Sequence, residues 1–146
     1  MKWLFVFVVI IVLLLVFSLF LGEEKTVGFY NNEEKMVEIK ARLAETEKDI
    51  RKGLMGEKSL GEKEGMLFIY KESKERGFWM KNTFIYLDII FLDENKHILN
   101  IVKNAEPCYS DSCPDYLSLG KCLYVIEARG GFVDQYDITR KTKITF

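Results

Sequence analysis

The hydrophobic pattern divides the chain after Gly22. Residues 3–21 are nineteen positions in which Ser18 is the only polar side chain. At 1.5 Å per residue they make about 28 Å of helix, close to a hydrocarbon core of about 30 Å. Many of them are β-branched, which in water favours a strand. In lipid a lone strand leaves its backbone unpaired, so helix is the form that spans. The pattern predicts an N-terminal transmembrane helix, a signal-anchor over residues 1–22, with Trp3 at the interface. A cleaved signal peptide is the competing reading. Its apolar region is shorter, about 7–15 residues, and ends on a small-x-small site. Phe20-Leu21-Gly22 carries a bulky residue at the first of those positions and Ser18-Leu19-Phe20 at the last.

Beyond the anchor the pattern becomes that of short strands. Residues 23–36 read as a linker with a possible short strand over 26–30, and Asn31-Asn32-Glu33-Glu34 as a turn. From Met36 the chain alternates, with Val37, Ile39, Ala41 and Leu43 on one face and Glu38, Lys40 and Arg42 on the other. Period two over this length is a half-buried strand. Thr46 is a helix N-cap candidate with Glu47 and Asp49 near the positive end of the dipole. The predicted helix, residues 47–55, is weakened at its end by Gly53 and Gly56. The polar stretch 56–65 reads as a loop and 66–70 as a buried strand. The runs 78–80 and 84–92 follow, and Asp93-Glu94-Asn95-Lys96 turns the chain into the strand 97–102. Residues 104–120 are irregular, 121–128 return to strand, 132–136 form a helical turn, and 138–146 close the chain. The sum is about seven strands and one clear helix, a mainly β (α+β) pattern that predicts a small antiparallel β-barrel or sandwich-like domain.

Composition changes this picture in one respect. The 146 residues carry 21 Lys+Arg against 22 Asp+Glu, and Lys2 is the sole charge in residues 1–22. There is no basic excess to neutralise phosphates, so no nucleic acid is expected as a partner. Lys2 and the amino terminus favour a cytoplasmic start; Lys25, Lys35 and Lys40 blunt that bias, although long domains translocate largely regardless of charge. The reading is a single-pass membrane protein, in contact with the lipid bilayer through residues 3–21, with its soluble domain outside the cytoplasm.

Several motifs then fall in a recognisable order: Gly53-Leu54-Met55, Glu64-Gly65-Met66-Leu67-Phe68, Phe78-Trp79-Met80-Lys81-Asn82-Thr83, Leu87-Asp88-Ile89-Ile90-Phe91 and Asn104-Ala105-Glu106-Pro107-Cys108, with Cys113-Pro114 and Tyr116 after them. Over residues 37–146 the chain resembles the family called domain of unknown function 192, also known as uncharacterised protein family 0127. The resemblance implies a small, mainly β domain with one helix, frequently exported, and implies little about activity. Two departures stand out. The family usually carries Arg two residues after Gly-Leu-Met, where Glu57 stands, and Pro before Leu-Asp, where Tyr86 stands.

The candidate chemistry is sparse. Trp79, Lys81, Asn82 and Asp88 form the candidate ligand-binding set. Trp can stack on a sugar ring or planar group, Lys81 supplies charge, and Asn82 both donates and accepts. The other reading makes Trp79 and Met80 core and Lys81-Asn82-Thr83 a turn. Asp88 sits in the most apolar run, where an unpaired carboxylate costs several kcal/mol. It is either a ligand-facing acid with Glu64 or Glu106 as companion, or a structural group paired with Lys81 or Arg51 or capping a backbone turn. Cys108 and Cys113, beside Pro107 and Pro114, most simply form a disulfide outside the cytoplasm. Reduced thiols are an alternative, and so is a zinc set of three cysteines with His97, although no Cys-x-x-Cys is present. Cys122 is left as a buried strand thiol. The sequence implies no cofactor: it has no Gly-x-Ser-x-Gly elbow and no phosphate-binding glycine loop. The expectation is a membrane-anchored extracytoplasmic module that binds a small ligand or a protein partner without catalysis. A hydrolase or transferase using paired carboxylates, and a structural or assembly protein at the membrane, are the alternatives.

Overall fold

The computed structural model describes residue 3, residues 6–13 and residues 23–146. Residues 6–13 are helical, and among the described residues no helix is long and apolar enough to cross a membrane. The rest of the expected 3–21 span lies outside the described residues.

From Glu24 onward the chain forms nine strands and two short helices. They are β1 (Glu24–Asn31), β2 (Glu34–Ala44), α1 (Glu47–Lys52), β3 (Glu64–Lys74), β4 (Gly77–Trp79), β5 (Leu87–Leu92), β6 (Ile98–Ala105), β7 (Asp115–Leu117), β8 (Cys122–Arg129), α2 (Phe132–Gln135) and β9 (Lys143–Thr145). Seven strands make one sheet in the order β6-β5-β8-β3-β2-β1-β9, and β4 with β7 makes a separate two-stranded ribbon. The mainly β, α+β class is as expected, but no barrel closes. The sheet ends on β6 and β9 rather than joining them, and β2 pairs with β3 in parallel, so the sheet is not wholly antiparallel.

Local sequence accounts for most of these elements. In β2 the alternation of Val37, Ile39 and Ala41 is matched by their burial. Asn32 and Glu33 both adopt positive φ, 46° and 70°, which gives the tight turn from β1 to β2 the twist of its strands. The short strand expected over 26–30 forms as β1, longer at both ends and part of the sheet. It pairs with β2 and β9 and sends Val27 and Phe29 into the core, so the fold begins ahead of residue 37. Thr46 accepts from the Asp49 amide at 3.1 Å, and Gly53, at φ 48°, ends α1 three residues sooner than its sequence suggests.

The central strands are buried on both faces, so two cores form. Along β5, Ile90 and Leu92 join Phe29, Ile39, Leu67, Ile126 and Phe132 on one side. Leu87, Ile89 and Phe91 join Leu54, Phe68, Phe78, Met80 and Val125 on the other. α2 covers the first face with Phe132 and Val133. α1, the loop after it and the β4–β7 ribbon cover the second, and a cavity lies between them.

Candidate functional site: a cleft between the first helix and the two-stranded ribbon

The second face is not covered completely. A cavity of about 240 Å³ opens between the end of α1 and β4. Its walls include Leu54, Phe68, Tyr70, Phe78, Trp79 and Thr83, and Glu127 lines it from β8. Arg51 and Lys52, in the last turn of α1, stand at its edge.

The Phe78–Thr83 segment shapes one wall by alternation. Phe78 and Met80 enter the core, while Trp79 between them remains 47% exposed. Asn82 takes φ 55°, so the chain turns there; its amide donates to the Cys108 carbonyl at 2.9 Å, and its own carbonyl accepts from the Gly56 amide at 2.8 Å. The second bond ties the loop after α1 to the segment carrying Trp79. Thr83 then turns inward and is buried. Lys81 and Asn82 do not line the cavity. Lys81 pairs with Asp111 at 3.1 Å and lies 5.8 Å from the Trp79 ring centroid. The two readings of this segment therefore divide it: Met80 is core, Asn82 is a turn residue, and Trp79 is neither.

Cys108 and Cys113 form a disulfide with Cα atoms 5.9 Å apart. With both in that bond, a zinc set with Cys122 and His97 does not form. Cys122 is buried, and His97 is exposed with Nδ1 3.2 Å from Asp93 Oδ2. The disulfide loop is docked onto the Trp79 segment, since the Cys108 amide donates to the Met80 carbonyl at 3.2 Å.

Asp88 lies elsewhere. It alternates with Leu87 and Ile89, so it points to the face opposite the cleft, and it is 0% exposed. Its Oδ1 accepts from the Asn104 amide at 2.7 Å and its Oδ2 from the Val133 amide at 2.8 Å. The N-cap of α2 is Gly131, which has no side chain to offer, and Asp88 supplies the missing acceptor from β5. Asp88 is thus a backbone-capping group and not a ligand-facing acid. Glu64 is exposed and accepts from the Gly61 amide at 2.9 Å, beside a separate hollow shared with Arg42 and Glu57. Glu106 is exposed just beyond β6. The structure does not bring these three carboxyls together. Glu57, which stands at the family's usual Arg position, pairs with Arg42 at 2.8 Å.

Glu127 lines the cavity without having stood out as a candidate in the sequence. It is 4% exposed, and its Oε2 is buried without a hydrogen-bond partner. Its register partners are Met66 on β3 and Ile89 on β5, both apolar and buried. Burial pushes its carboxyl up to about 8, so it is mostly protonated at neutral pH. Burial also pushes the Tyr70 phenol up to about 12, opposed by Arg76, whose guanidinium lies 3.7 Å from the ring centroid. The signal was available in the sequence: a lone acid between Ile126 and Ala128 in an apolar strand, the same signal that drew attention to Asp88. A cavity walled by aromatic rings, with a neutral acid inside and cations at its edge, is equipped to bind a small molecule.

The molecule is therefore a mainly β, α+β domain with a ligand-sized cleft on one face of its sheet. Residues 29–146 match the family DUF192, described as uncharacterized ACR, and the chain belongs to that family. A crystal structure of a protein of unknown function from Novosphingobium aromaticivorans DSM 12444 superposes with a TM-score of 0.79 at 30% identity, covering 86% of each chain. Another, from Sinorhizobium meliloti 1021 and named as a candidate transcription regulator, superposes at 0.76 with 26% identity, covering 85% of this chain and 94% of its own. No curated protein matches the chain.

Proposed function

We propose that this protein is a membrane-anchored, non-catalytic binding module, displayed outside the cytoplasm, that takes a small ligand in the cleft beside Trp79. The observation that carries the reading is the Glu127 carboxyl, whose Oε2 is buried and unpartnered against a cavity of about 240 Å³. An unpaired buried oxygen costs about 1–3 kcal/mol, which a ligand that donates to it recovers. The volume lies below the range of about 300–1,000 Å³ typical of drug-sized sites, so the ligand is small. Two features support the cellular placement. The apolar stretch 3–21 matches a bilayer in length, and the Cys108–Cys113 disulfide belongs to oxidising compartments. The charge balance of -1 favours no nucleic-acid partner, whatever the Sinorhizobium relative does.

The test uses full-length protein in detergent carrying Trp3→Phe, so that Trp79 is the sole indole reporter. A small-molecule screen read by its fluorescence returns hits. Because Trp79 is 47% exposed, Trp79→Ala removes their binding, read by isothermal titration calorimetry since that variant has no indole, and leaves the melting temperature nearly unchanged. A large fall in melting temperature, or hits that bind the alanine variant equally well, defeats the reading.

A further inference from the structure

The ligand class can be narrowed from the distribution of charge in the cleft, an inference that rests on the binding role above. Glu127 is buried between Met66 and Ile89, and its Oε2 has no partner. A Cβ added at Gly53 would stand 4.0 Å from that oxygen and 3.4 Å from the Phe68 ring, so the glycine backbone lies over the acid. Phe68, Tyr70, Phe78 and Trp79 present rings around the space, and ring faces attract cations. Arg51 and Lys52, at the edge, are exposed and form no ion pair among the described residues.

We propose that the cleft recognises a small zwitterion, with its primary ammonium against Glu127 and its carboxylate at the edge beside Arg51 and Lys52. A simple anion would meet Glu127 at depth. A simple cation would pass two positive side chains and gain nothing from them. A molecule with one charge of each sign satisfies both ends. The remaining ionisable groups near Glu127 do not supply that ammonium. Tyr70 on β3 and Cys122 on β8 are neutral, with burial pushing the thiol up to about 11, and Arg76 is stacked on the Tyr70 ring. β5 presents apolar Ile89 there. The binding step balances as a proton release: the protonated Glu127 gives its proton to the buffer and becomes the carboxylate that holds the incoming ammonium.

Isothermal titration calorimetry of full-length protein in detergent at pH 7, in two buffers of different ionisation heat, tests this. The probes are L-alanine and 4-aminobutyrate, with propylamine and propionate as one-ended controls. At least one zwitterion should bind tenfold or more tighter than either control and release close to one proton. Glu127→Gln, a neutral isostere that keeps the fold, should abolish the proton release and weaken binding tenfold or more. The double variant Arg51→Ala/Lys52→Ala should weaken the zwitterion and leave propylamine unchanged. Propionate binding as tightly as the zwitterions, zwitterion binding without proton release, or no binding by any probe overturns the ligand class. In the last case, screen hits that still depend on Trp79 leave the cleft itself standing as a binding site, whereas the absence of such hits removes both.

Discussion

Two carboxyls in neighbouring central strands show how position decides the role of a residue. Asp88 and Glu127 both interrupt apolar runs, and both are almost fully buried. Asp88 has two backbone N–H donors within reach, and Glu127 Oε2 has none. Asp88→Ala would leave the Asn104 and Val133 amides without their acceptor, and a buried donor left unsatisfied costs about 1–3 kcal/mol. Denaturant unfolding should show a loss of several kcal/mol, well beyond that of Trp79→Ala; a loss as small as the Trp79 variant's would remove the capping role. Glu127 makes stability depend on pH. Its carboxyl lies at about 8 in the folded chain against an ordinary 4.5, so the folded state holds the proton more tightly. Stability from this group is full below the lower value and falls through the interval by about 1.4 kcal/mol per pH unit. Glu127→Gln, which does not titrate, should therefore gain on the parent between pH 5 and pH 8 in unfolding experiments. A difference constant across that interval would show that Glu127 is not held neutral.

Among the elements, the β4–β7 ribbon depends most on non-local contacts. Each of its strands has three residues, too few to persist alone. It is held by Phe78 packed edge-on against Phe68 and Phe91, with centroids 4.9 and 5.6 Å away, and by the disulfide loop docked on Met80 and Asn82. A disulfide closing so short a loop contributes roughly 2 kcal/mol by chain entropy. Reduction should lower stability by about that amount. It should also speed hydrogen exchange at the Asn82 amide, whose acceptor is the Cys108 carbonyl, while the β8 amides stay protected. Equal acceleration in both places would mean that the loop is not a local clamp. The buried Cys122 thiol, which donates to the Tyr124 carbonyl at 3.0 Å, should resist alkylation until the chain unfolds.

For the whole molecule, the cavity opens on one side of the sheet, between α1 and the β4–β7 ribbon, while α2 and Ile144 of β9 pack on the other. The β9 side comes round to the β5–β6 turn: Lys96 Nζ donates to the Phe146 carbonyl at 2.9 Å, and Ile144 shares a core with Leu92 and Ile98. Alkaline carbonate should leave full-length protein in the membrane pellet, and protease added to intact cells should degrade the folded part. Release by carbonate, or protection from protease, would reverse the anchoring or the orientation.

The sequence determined what short-range physics governs. Period-two alternation placed β2, polar punctuation placed the β5–β6 turn, Thr46 started α1, and the ordered motifs identified the family. Residues 104–120 hid β7, because a three-residue edge strand among prolines and cysteines has no periodicity to display. The parallel register of β2 with β3, the opening of the sheet and the opposite destinations of Asp88 and Glu127 were decided by tertiary structure alone. A strand's alternation says which residues share a face; only the packing of other elements says whether that face meets a backbone donor or a cavity. For that reason Trp79 stood out in the sequence as a candidate, while only the fold set the Glu127 carboxyl against the same cavity.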